Sequence, residues 1–199
     1  MKTTKNNVVE RVYPLVLTIG GVLGLVAMTA QAAERINMLK NPSAELSCNL
    51  SPIVDCSGVL NDRLAAVMGF PNALLGMIFF AILATSGLVL LSGGKFTGWF
   101  KHFVMVVSTI LILFSVWFFG VSLYVLGKIC IFCVVGWVVS VPMFWYGLLY
   151  YLRSSSGKIA YKAAAFTKFG SKHHLDVVLV LYAVMLLLFL FRFRDYYFN

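Results

Sequence analysis

Long apolar runs and short polar segments alternate along the chain. Five runs are apolar over about 20 residues, the length that an α-helix needs to cross a bilayer, and they occupy roughly residues 13–31, 72–92, 103–126, 129–152 and 175–191. The sequence does not show the short alternating strands of a transmembrane β-barrel. The pattern therefore predicts an all-α integral membrane protein with a single membrane domain over residues 1–199.

Composition and charge support this prediction. Hydrophobic residues make up 61% of the chain and charged residues 12%, whereas a soluble domain carries about 25% charged residues. The net charge of +9 could indicate nucleic acid binding, but its distribution does not. With a cytoplasmic N-terminus, ten of the 16 Lys and Arg residues fall on the inner side and six on the outer side, as the positive-inside rule requires.

The first apolar run allows a second interpretation. Basic residues precede it, and Ala30-Gln31-Ala32 resembles a signal-peptidase site. However, the run is longer than the 7–15 apolar residues of a signal peptide. Gly20 and Gly24 have the small-xxx-small spacing of helices packed inside a bundle. We therefore predict that the run is retained as a membrane helix.

The polar segments predict the connections. Residues 32–71 form an outer loop, in which Val59 to Met68 has the spacing of an amphipathic surface helix; a loop with scattered apolar anchors is the alternative. Gly127-Lys128 joins the third and fourth helices tightly. Residues 153–174 read as a Ser-rich, basic inner loop, whose His173 and His174 are interpreted as solvated rather than metal-binding.

Four cysteines carry the candidate chemistry, and this topology places them on or near the outer face, where disulfides persist. Cys48 and Cys56 lie in the outer loop, whereas Cys130 and Cys133 form a CxxC motif where the fourth helix begins. The loop pair could be a structural staple. The CxxC pair could be two buried apolar residues, or could bind zinc with the loop pair. Two dithiols can also exchange a disulfide by thiolate attack, which is the interpretation we favour.

Two charged residues lie beside the cysteines. A cation near Cys130 favours the reactive thiolate, so Lys128 could assist catalysis, although an interfacial lysine that reaches to water is the simpler interpretation. Asp55 is adjacent to Cys56 and disfavours its thiolate.

A membrane dithiol needs an acceptor for two electrons. No haem ligand set, flavin fingerprint or iron–sulfur spacing is recognisable in the sequence, whereas a quinone needs only an apolar pocket with a few polar groups. The candidate quinone contacts are Asn72 at the start of the second helix, Phe79 two turns further on, and Trp137 two turns beyond Cys130. Each of them could instead serve helix packing or capping.

These residues resemble the vitamin K epoxide reductase family, in its bacterial branch. The resemblance rests on the order of the loop pair and the CxxC motif, on Cys56-Ser57-Gly58-Val59, and on Gly69-Phe70-Pro71-Asn72 followed by Gly76. It covers roughly residues 13–150. DsbB is similar in chemistry, but its CxxC motif precedes its second cysteine pair.

The resemblance implies a four-helix transmembrane bundle around a quinone pocket, plus a fifth transmembrane helix. It implies that Cys130 and Cys133 form the active-site disulfide beside ubiquinone or menaquinone, that Cys48 and Cys56 shuttle electrons to it, and that Asn72 faces a quinone oxygen. Animal members that reduce the epoxide carry Tyr in place of Trp137, and the Ser or Thr often found six residues after the second loop cysteine is Asp62. Many bacterial members carry a fused thioredoxin-like domain; because this chain ends at Asn199, we expect a separate partner.

The leading hypothesis is a thiol:quinone oxidoreductase of the bacterial inner membrane that reoxidises a periplasmic, DsbA-like thioredoxin-fold protein. A vitamin K quinone or epoxide reductase is one alternative, and a non-enzymatic scaffold with a structural loop disulfide is another. Within the leading hypothesis, Cys48 is expected to be the accessible target for the partner, Cys56 to attack Cys130, and Cys133 to lie nearest the quinone.

Overall fold

The computed structural model describes residues 8–41, 46–154, 158–194 and 196, and its regular elements are helical apart from one isolated β-bridge. In chain order they are α1 (Val8–Lys40), α2 (Cys56–Leu60), a 3₁₀ helix (Arg63–Ala66), α3 (Asn72–Leu91), α4 (Gly98–Val121), a π-helical turn (Ser122–Leu126), α5 (Ile131–Ser154), α6 (Lys158–Lys172) and α7 (His174–Arg192). Five helices are long and apolar enough to cross a membrane: α1, α3, α4 with the π turn, α5 and α7. The predicted all-α membrane fold is confirmed.

Helix α1 is longer than the apolar run that predicts it. Its 33 residues span about 50 Å at 1.5 Å per residue, which exceeds the hydrocarbon core of about 30 Å. The helix continues through residues 32–40, which the sequence assigns to the outer loop. They are rich in Ala, Glu, Arg, Leu and Lys, which favour helix, and Pro42 follows shortly after. Residues 42–45 of the predicted loop lie outside the described residues.

Glycines let α1 approach its neighbours closely. A Cβ atom added to Gly24 would lie 2.4 Å from Cδ1 of Phe80 in α3, and one added to Gly21 would lie 2.6 Å from the backbone nitrogen of Ala84. Gly20 faces α5 instead, where an added Cβ would lie 3.0 Å from Sδ of Met143. The Gly20 and Gly24 pair thus serves helix packing, as predicted, but toward two different helices.

The single amphipathic helix predicted over Val59 to Met68 is wrong in its bounds. Helix α2 begins at Cys56 and ends at Leu60, and a separate 3₁₀ helix follows at Arg63–Ala66. The break has a local cause, because the side chain of Asp62 accepts a hydrogen bond from the backbone N–H of Leu64 and caps the second element. Cys56, Val59 and Leu60 of α2 are buried.

The connection before α5 is also longer than predicted. After α4, the chain makes the π turn, reverses at Gly127 with a positive φ of 60°, and enters α5 only at Ile131. A left-handed backbone conformation of this kind is accessible to glycine at little cost. Cys130 therefore lies just outside the helix, and Cys133 lies in its first turn.

At the opposite end of the bundle, the inner loop predicted over 153–174 is mostly helix α6, so this prediction is wrong. Ala and Lys favour helix there, and α6 packs on α5, with Phe166 5.9 Å from the ring of Trp145. The two histidines have protein partners. Nδ1 of His174 lies 2.6 Å from the hydroxyl of Tyr146, and Nδ1 of His173 lies 2.8 Å from Asp176.

Candidate redox site

A short parallel β-bridge joins the cysteine loop to the segment before α5. The bridge pairs Val54 with Ile129. The N–H of Ile129 donates to the carbonyl of Ile53 at 2.8 Å, and the N–H of Asp55 donates to the carbonyl of Ile129 at 3.1 Å. Cys56 and Cys130 are the next residues on the two segments, so the bridge brings them together.

All four cysteines meet in one buried cluster. Cys48 and Cys56 form a disulfide, while Cys130 and Cys133 are free thiols. Sγ of Cys56 lies 3.2 Å from Sγ of Cys130, and neither residue is exposed to solvent. Disulfide exchange requires a thiolate to reach a disulfide sulfur, and this contact satisfies that requirement without any movement of the backbone.

Asp55 and Lys128, which precede Cys56 and Cys130 by one and two residues, form an ion pair. Asp55 also accepts hydrogen bonds from the hydroxyl of Ser57 and from the backbone N–H of Gly58, at the start of α2. Partial burial raises the pKa of Asp55, but the hydrogen bonds from Lys128, Ser57 and Gly58 outweigh this and lower the pKa from 3.8 to about 2. Lys128 thus has a partner in the protein, and its side chain, which is 41% exposed, also reaches water.

Gly58 makes room for this ion pair. A Cβ atom added there would lie 2.4 Å from Cδ and 2.6 Å from Nζ of Lys128, and 2.9 Å from Oδ2 of Asp55. The side chain of Lys128 thus crosses directly over the glycine to reach the carboxylate. Asp55, whose negative charge is predicted to disfavour a thiolate at Cys56, is thus neutralised by the positive charge of Lys128.

Cys133 lies beside a residue that the sequence reading did not select. Gln31 of α1 is only 5% exposed, and its Nε2 lies 3.3 Å from Sγ of Cys133 as a hydrogen-bond donor. The signal that could have identified it is a polar amide inside an apolar run, since such residues in membrane helices usually have a function. From the sequence, Gln31 is noted only within the Ala30-Gln31-Ala32 motif.

A cavity of about 50 Å³ adjoins Cys133. Its polar contributions come from Gln31, Asn72, Ser115 and Cys133, and apolar residues complete the lining: Met28, Ala65, Ala73, Gly76, Phe80, Leu111, Phe114, Phe118, Gly136 and Trp137. A second space of about 310 Å³ lies between α3 and α4 and includes Phe79. Asn72 borders both spaces, so the three candidate quinone contacts line two adjoining spaces.

The chemistry of this lining suits a quinone, although the inner cavity is smaller than a quinone ring. The lining is mainly aliphatic and aromatic, with a few amide and hydroxyl groups that could orient the carbonyl oxygens of a quinone. Phe114 and Leu111 border both spaces. Displacement of these two side chains would join the cavity to the larger space. Gln31, Asn72 and Trp137 line the cavity and could hold the ring there.

The Asn72 amide already has partners in the protein. Its Nδ2 donates to the carbonyl of Leu64 at 2.7 Å, and its Oδ1 accepts from the N–H of Val67 at 3.1 Å. Asn72 does not cap α3 with its side chain; it ties the start of α3 to the 3₁₀ helix. Whether it faces a quinone oxygen stays a prediction.

Cys48 is less accessible than the sequence suggests. Its side chain is 3% exposed and that of Cys56 is fully buried. Cys48 is marginally the more exposed residue of the pair, but both are buried among apolar residues such as Met38, Leu46 and Ile53. A partner thiolate can reach Cys48 only after these residues move.

Comparison with known families identifies the family of this chain. The sequence model of the vitamin K epoxide reductase family matches residues 15–148, more than half of the chain. The chain belongs to the vitamin K epoxide reductase family. The comparison with curated proteins found no match. Membership in the vitamin K epoxide reductase family, together with the apolar helices, identifies a multi-pass membrane redox enzyme, and proteins of this family are generally quinone-linked.

The structure bears on the other interpretations of the cysteines. Within the described residues, no group of three or more His, Cys, Asp or Glu side chains is placed to hold a metal. The CxxC pair is not isolated among apolar neighbours, because Cys130 touches the loop disulfide and Cys133 touches an amide. Both contacts place polar or sulfur atoms against the CxxC pair.

Proposed function

We propose that the protein is a thiol:quinone oxidoreductase that generates disulfides in a periplasmic, DsbA-like thioredoxin-fold protein. Electrons pass from the partner to Cys48 and Cys56, then to Cys130 and Cys133, and then to ubiquinone or menaquinone in the bacterial inner membrane. The observation that carries the proposal is the 3.2 Å contact between the sulfurs of Cys56 and Cys130.

The redox states of the two pairs correspond to one step of such a relay. The loop pair is oxidised and the CxxC pair is reduced, as expected after the loop pair has delivered two electrons. In the preceding step, the Cys56 thiolate attacks Cys130 of a Cys130–Cys133 disulfide, and Cys133 leaves as a thiolate. Cys48 then attacks Cys56, which restores the loop disulfide and releases Cys130.

The remaining step returns the CxxC pair to a disulfide. A quinone supplies a two-electron, two-proton acceptor when it is bound beside Cys133. The thiols of Cys130 and Cys133 lose those two electrons and two protons and form the disulfide. Gln31, Asn72 and Trp137 line the space where the acceptor would be held, and the apolar lining excludes water from the buried sulfur of Cys133.

A purified-protein assay tests the function directly. We expect detergent-solubilised protein to reduce a soluble ubiquinone or menaquinone analogue when a reduced DsbA-like protein is supplied, with the quinone absorbance as readout. Cys133→Ala should abolish quinone reduction while the loop pair still exchanges with the partner. Absence of turnover with every quinone tested would favour the scaffold interpretation instead.

The order of the relay has its own test. In Cys48→Ala, the thiol that normally attacks Cys56 is missing, so the Cys56–Cys130 disulfide should accumulate and Cys133 should remain free. Non-reducing peptide mapping after mild thiol treatment identifies the linkage. A Cys56–Cys133 linkage, or no linkage between the pairs, would contradict the proposed order.

A further inference from the structure

Gln31 is a buried amide in the apolar interior of α1. A polar group taken out of water costs free energy unless it finds a hydrogen-bond partner, and polar residues inside membrane helices usually face the interior of the bundle for a functional reason. Gln31 fits this pattern, because its side chain is 5% exposed and points toward α5. Its recorded partner is the sulfur of Cys133.

The contact has a defined direction. The amide N–H of Gln31 is the donor, and Sγ of Cys133 is the acceptor at 3.3 Å. A neutral thiol is a weak acceptor, whereas a thiolate is a strong one, since hydrogen bonds to charged groups are roughly twice as strong as neutral bonds. The same amide borders the cavity beside Cys133, so it contacts the reacting sulfur at the place where the acceptor would be held.

We propose that Gln31 is a catalytic residue whose amide N–H stabilises the sulfur of Cys133 as a thiolate when the Cys130–Cys133 disulfide opens; the catalytic role rests on the proposed thiol relay. When Cys56 attacks Cys130, the new Cys56–Cys130 bond forms and the Cys130–Cys133 bond breaks. The electron pair of the broken bond remains on Sγ of Cys133. Gln31 transfers no proton in this step and lowers the cost of the developing charge.

The cation nearest the sulfur pairs in sequence does not take over this role. Lys128 is paired with Asp55. Two further titratable groups face the site: Cys130, and Glu34 one turn beyond Gln31 on α1, whose carboxylate accepts a hydrogen bond from Ser47. Neither supplies a positive charge to Cys133, so the neutral amide is the contact that favours its thiolate.

The test uses the full chain carrying Cys130→Ser, which leaves Cys133 as a free thiol and the loop disulfide intact. The rate of alkylation of Cys133 by a small uncharged reagent, such as iodoacetamide, is measured against pH. Gln31→Met is close in volume and removes the N–H donor. We expect it to raise the midpoint of the profile by about one to two pH units, and so to slow alkylation near neutral pH by about three- to fifteenfold, since the less acidic thiolate is also the better nucleophile.

Two further variants control the comparison. Gln31→Glu keeps the shape of the side chain and places a carboxyl group against the sulfur, so we expect it to slow alkylation near neutral pH at least as much; it also keeps the test open if Gln31→Met does not fold. Thr29→Val removes a polar group from the same helix, where the Thr29 hydroxyl donates a hydrogen bond to the carbonyl of Leu25, also in α1. This control should not shift the midpoint.

The alkaline plateau separates chemistry from access. If Gln31 acts on the thiolate, the midpoint moves in Gln31→Met and the plateau rate rises by about three- to tenfold, because a thiolate of higher pKa is more nucleophilic. An unchanged midpoint, or a lower plateau alone, would show that Gln31 only fills space and would overturn the inference. Because alkylation needs neither quinone nor partner protein, failure of the quinone assay with a shifted midpoint would reject the proposed function and leave the contact between amide and thiolate established.

Discussion

Asp55 links three parts of the site at the scale of single residues. Its backbone N–H pairs with Ile129, its side chain begins α2 by bonding Gly58, and its carboxylate meets Lys128 across 73 positions of sequence. These contacts fix the residue that directly precedes Cys56. The charge of Asp55 therefore serves to position the loop sulfur against Cys130, and the proposed exchange should depend on it.

Removal of the cation should reveal this dependence. Because the pKa of Asp55 is lowered from 3.8 to about 2, its ionic contribution to stability is fully present above the unfolded value and is lost as the pH falls through the folded value. Lys128→Met should therefore lower stability by up to about 1 kcal/mol, as is usual for a partly exposed pair. Thermal unfolding midpoints in detergent, compared with wild type from neutral pH downward, measure the difference. A deficit that grows as the pH falls toward about 2 would contradict this assignment.

Gly58→Ala should act through the same ion pair. The added Cβ would displace Nζ and Cδ of Lys128, so we expect the Cys56–Cys130 linkage in the Cys48→Ala background to form more slowly, by a few-fold. In the double variant with Lys128→Met, the two effects should not add, because both remove one interaction. Gly98→Ala is the matched control, since nothing lies within 4 Å of its added Cβ. Additive effects would separate Gly58 from the ion pair.

At this scale the sequence predicts the reactive groups better than their partners. The cysteines stand out by residue type and spacing, and all four meet in the structure. The contacts of Gln31 with Cys133 and of Lys128 with Asp55 join residues far apart in the chain. A single sequence carries no signal for such pairs, because they depend on how the helices are arranged in three dimensions.

At the scale of elements, α1 is central to the bundle because it packs against both α3 and α5. Its glycine face brings it close to Phe80 and Ala84, and the same helix carries Gln31 to Cys133. Packing of α1 and placement of the amide are therefore coupled. A change in the glycine face should disturb the redox site even though it lies nearly two turns of helix away from Gln31.

Gly24→Val tests this coupling. The new side chain would overlap the ring of Phe80, which is buried and 1% exposed, and overpacking of this kind costs about 1–3 kcal/mol. We expect a lower unfolding midpoint in detergent and a weaker effect of Gln31 on Cys133 alkylation. Gly120→Ala adds a methyl group to α4 where nothing lies within 4 Å, and it should not lower the midpoint. Equal stability of the two variants would show that α1 and α3 can separate freely.

Sequence patterns predict these elements unevenly. Long apolar runs identify the membrane helices because the bilayer requires them to be both long and apolar. The end of α1 and the whole of α6 are polar helices. The sequence does not identify them, because a polar segment lacks the long apolar run that marks a membrane helix and resembles a loop in composition. The split between α2 and the 3₁₀ helix depends on the cap by Asp62, which overrides the apolar periodicity.

At the scale of the whole molecule, the two ends of the bundle differ in chemistry. The cysteine cluster lies at one end, where Arg192 near the end of α7 donates to the carbonyl of Leu123 in the π turn. The start of α1, the turn between α3 and α4, and the end of α5 meet at the other end, where Glu10, Lys95 and Arg153 line one groove. If all five long helices cross the membrane, the start of α1 and the end of α7 lie on opposite sides of it.

Reporter fusions test the predicted orientation. By the positive-inside rule, fusions after residue 60 and after Asn199, which lies outside the described residues, should report the outer side. Fusions near Gly94 and Lys162 should report the inner side. A cytosolic signal from the fusion after residue 60 would place the loop disulfide in a reducing compartment and remove the support for the proposed function.

The β-bridge between Val54 and Ile129 has a kinetic consequence. It holds two sulfurs from residues 74 positions apart at 3.2 Å, so the proposed exchange between them would be an intramolecular reaction. Well-oriented intramolecular reactions reach effective molarities of about 10⁵ M or more, which no dissolved thiol can match. Small-molecule thiols would therefore compete poorly for Cys130, and the shape of the site, rather than its reduction potential, would decide which thiol supplies the electrons.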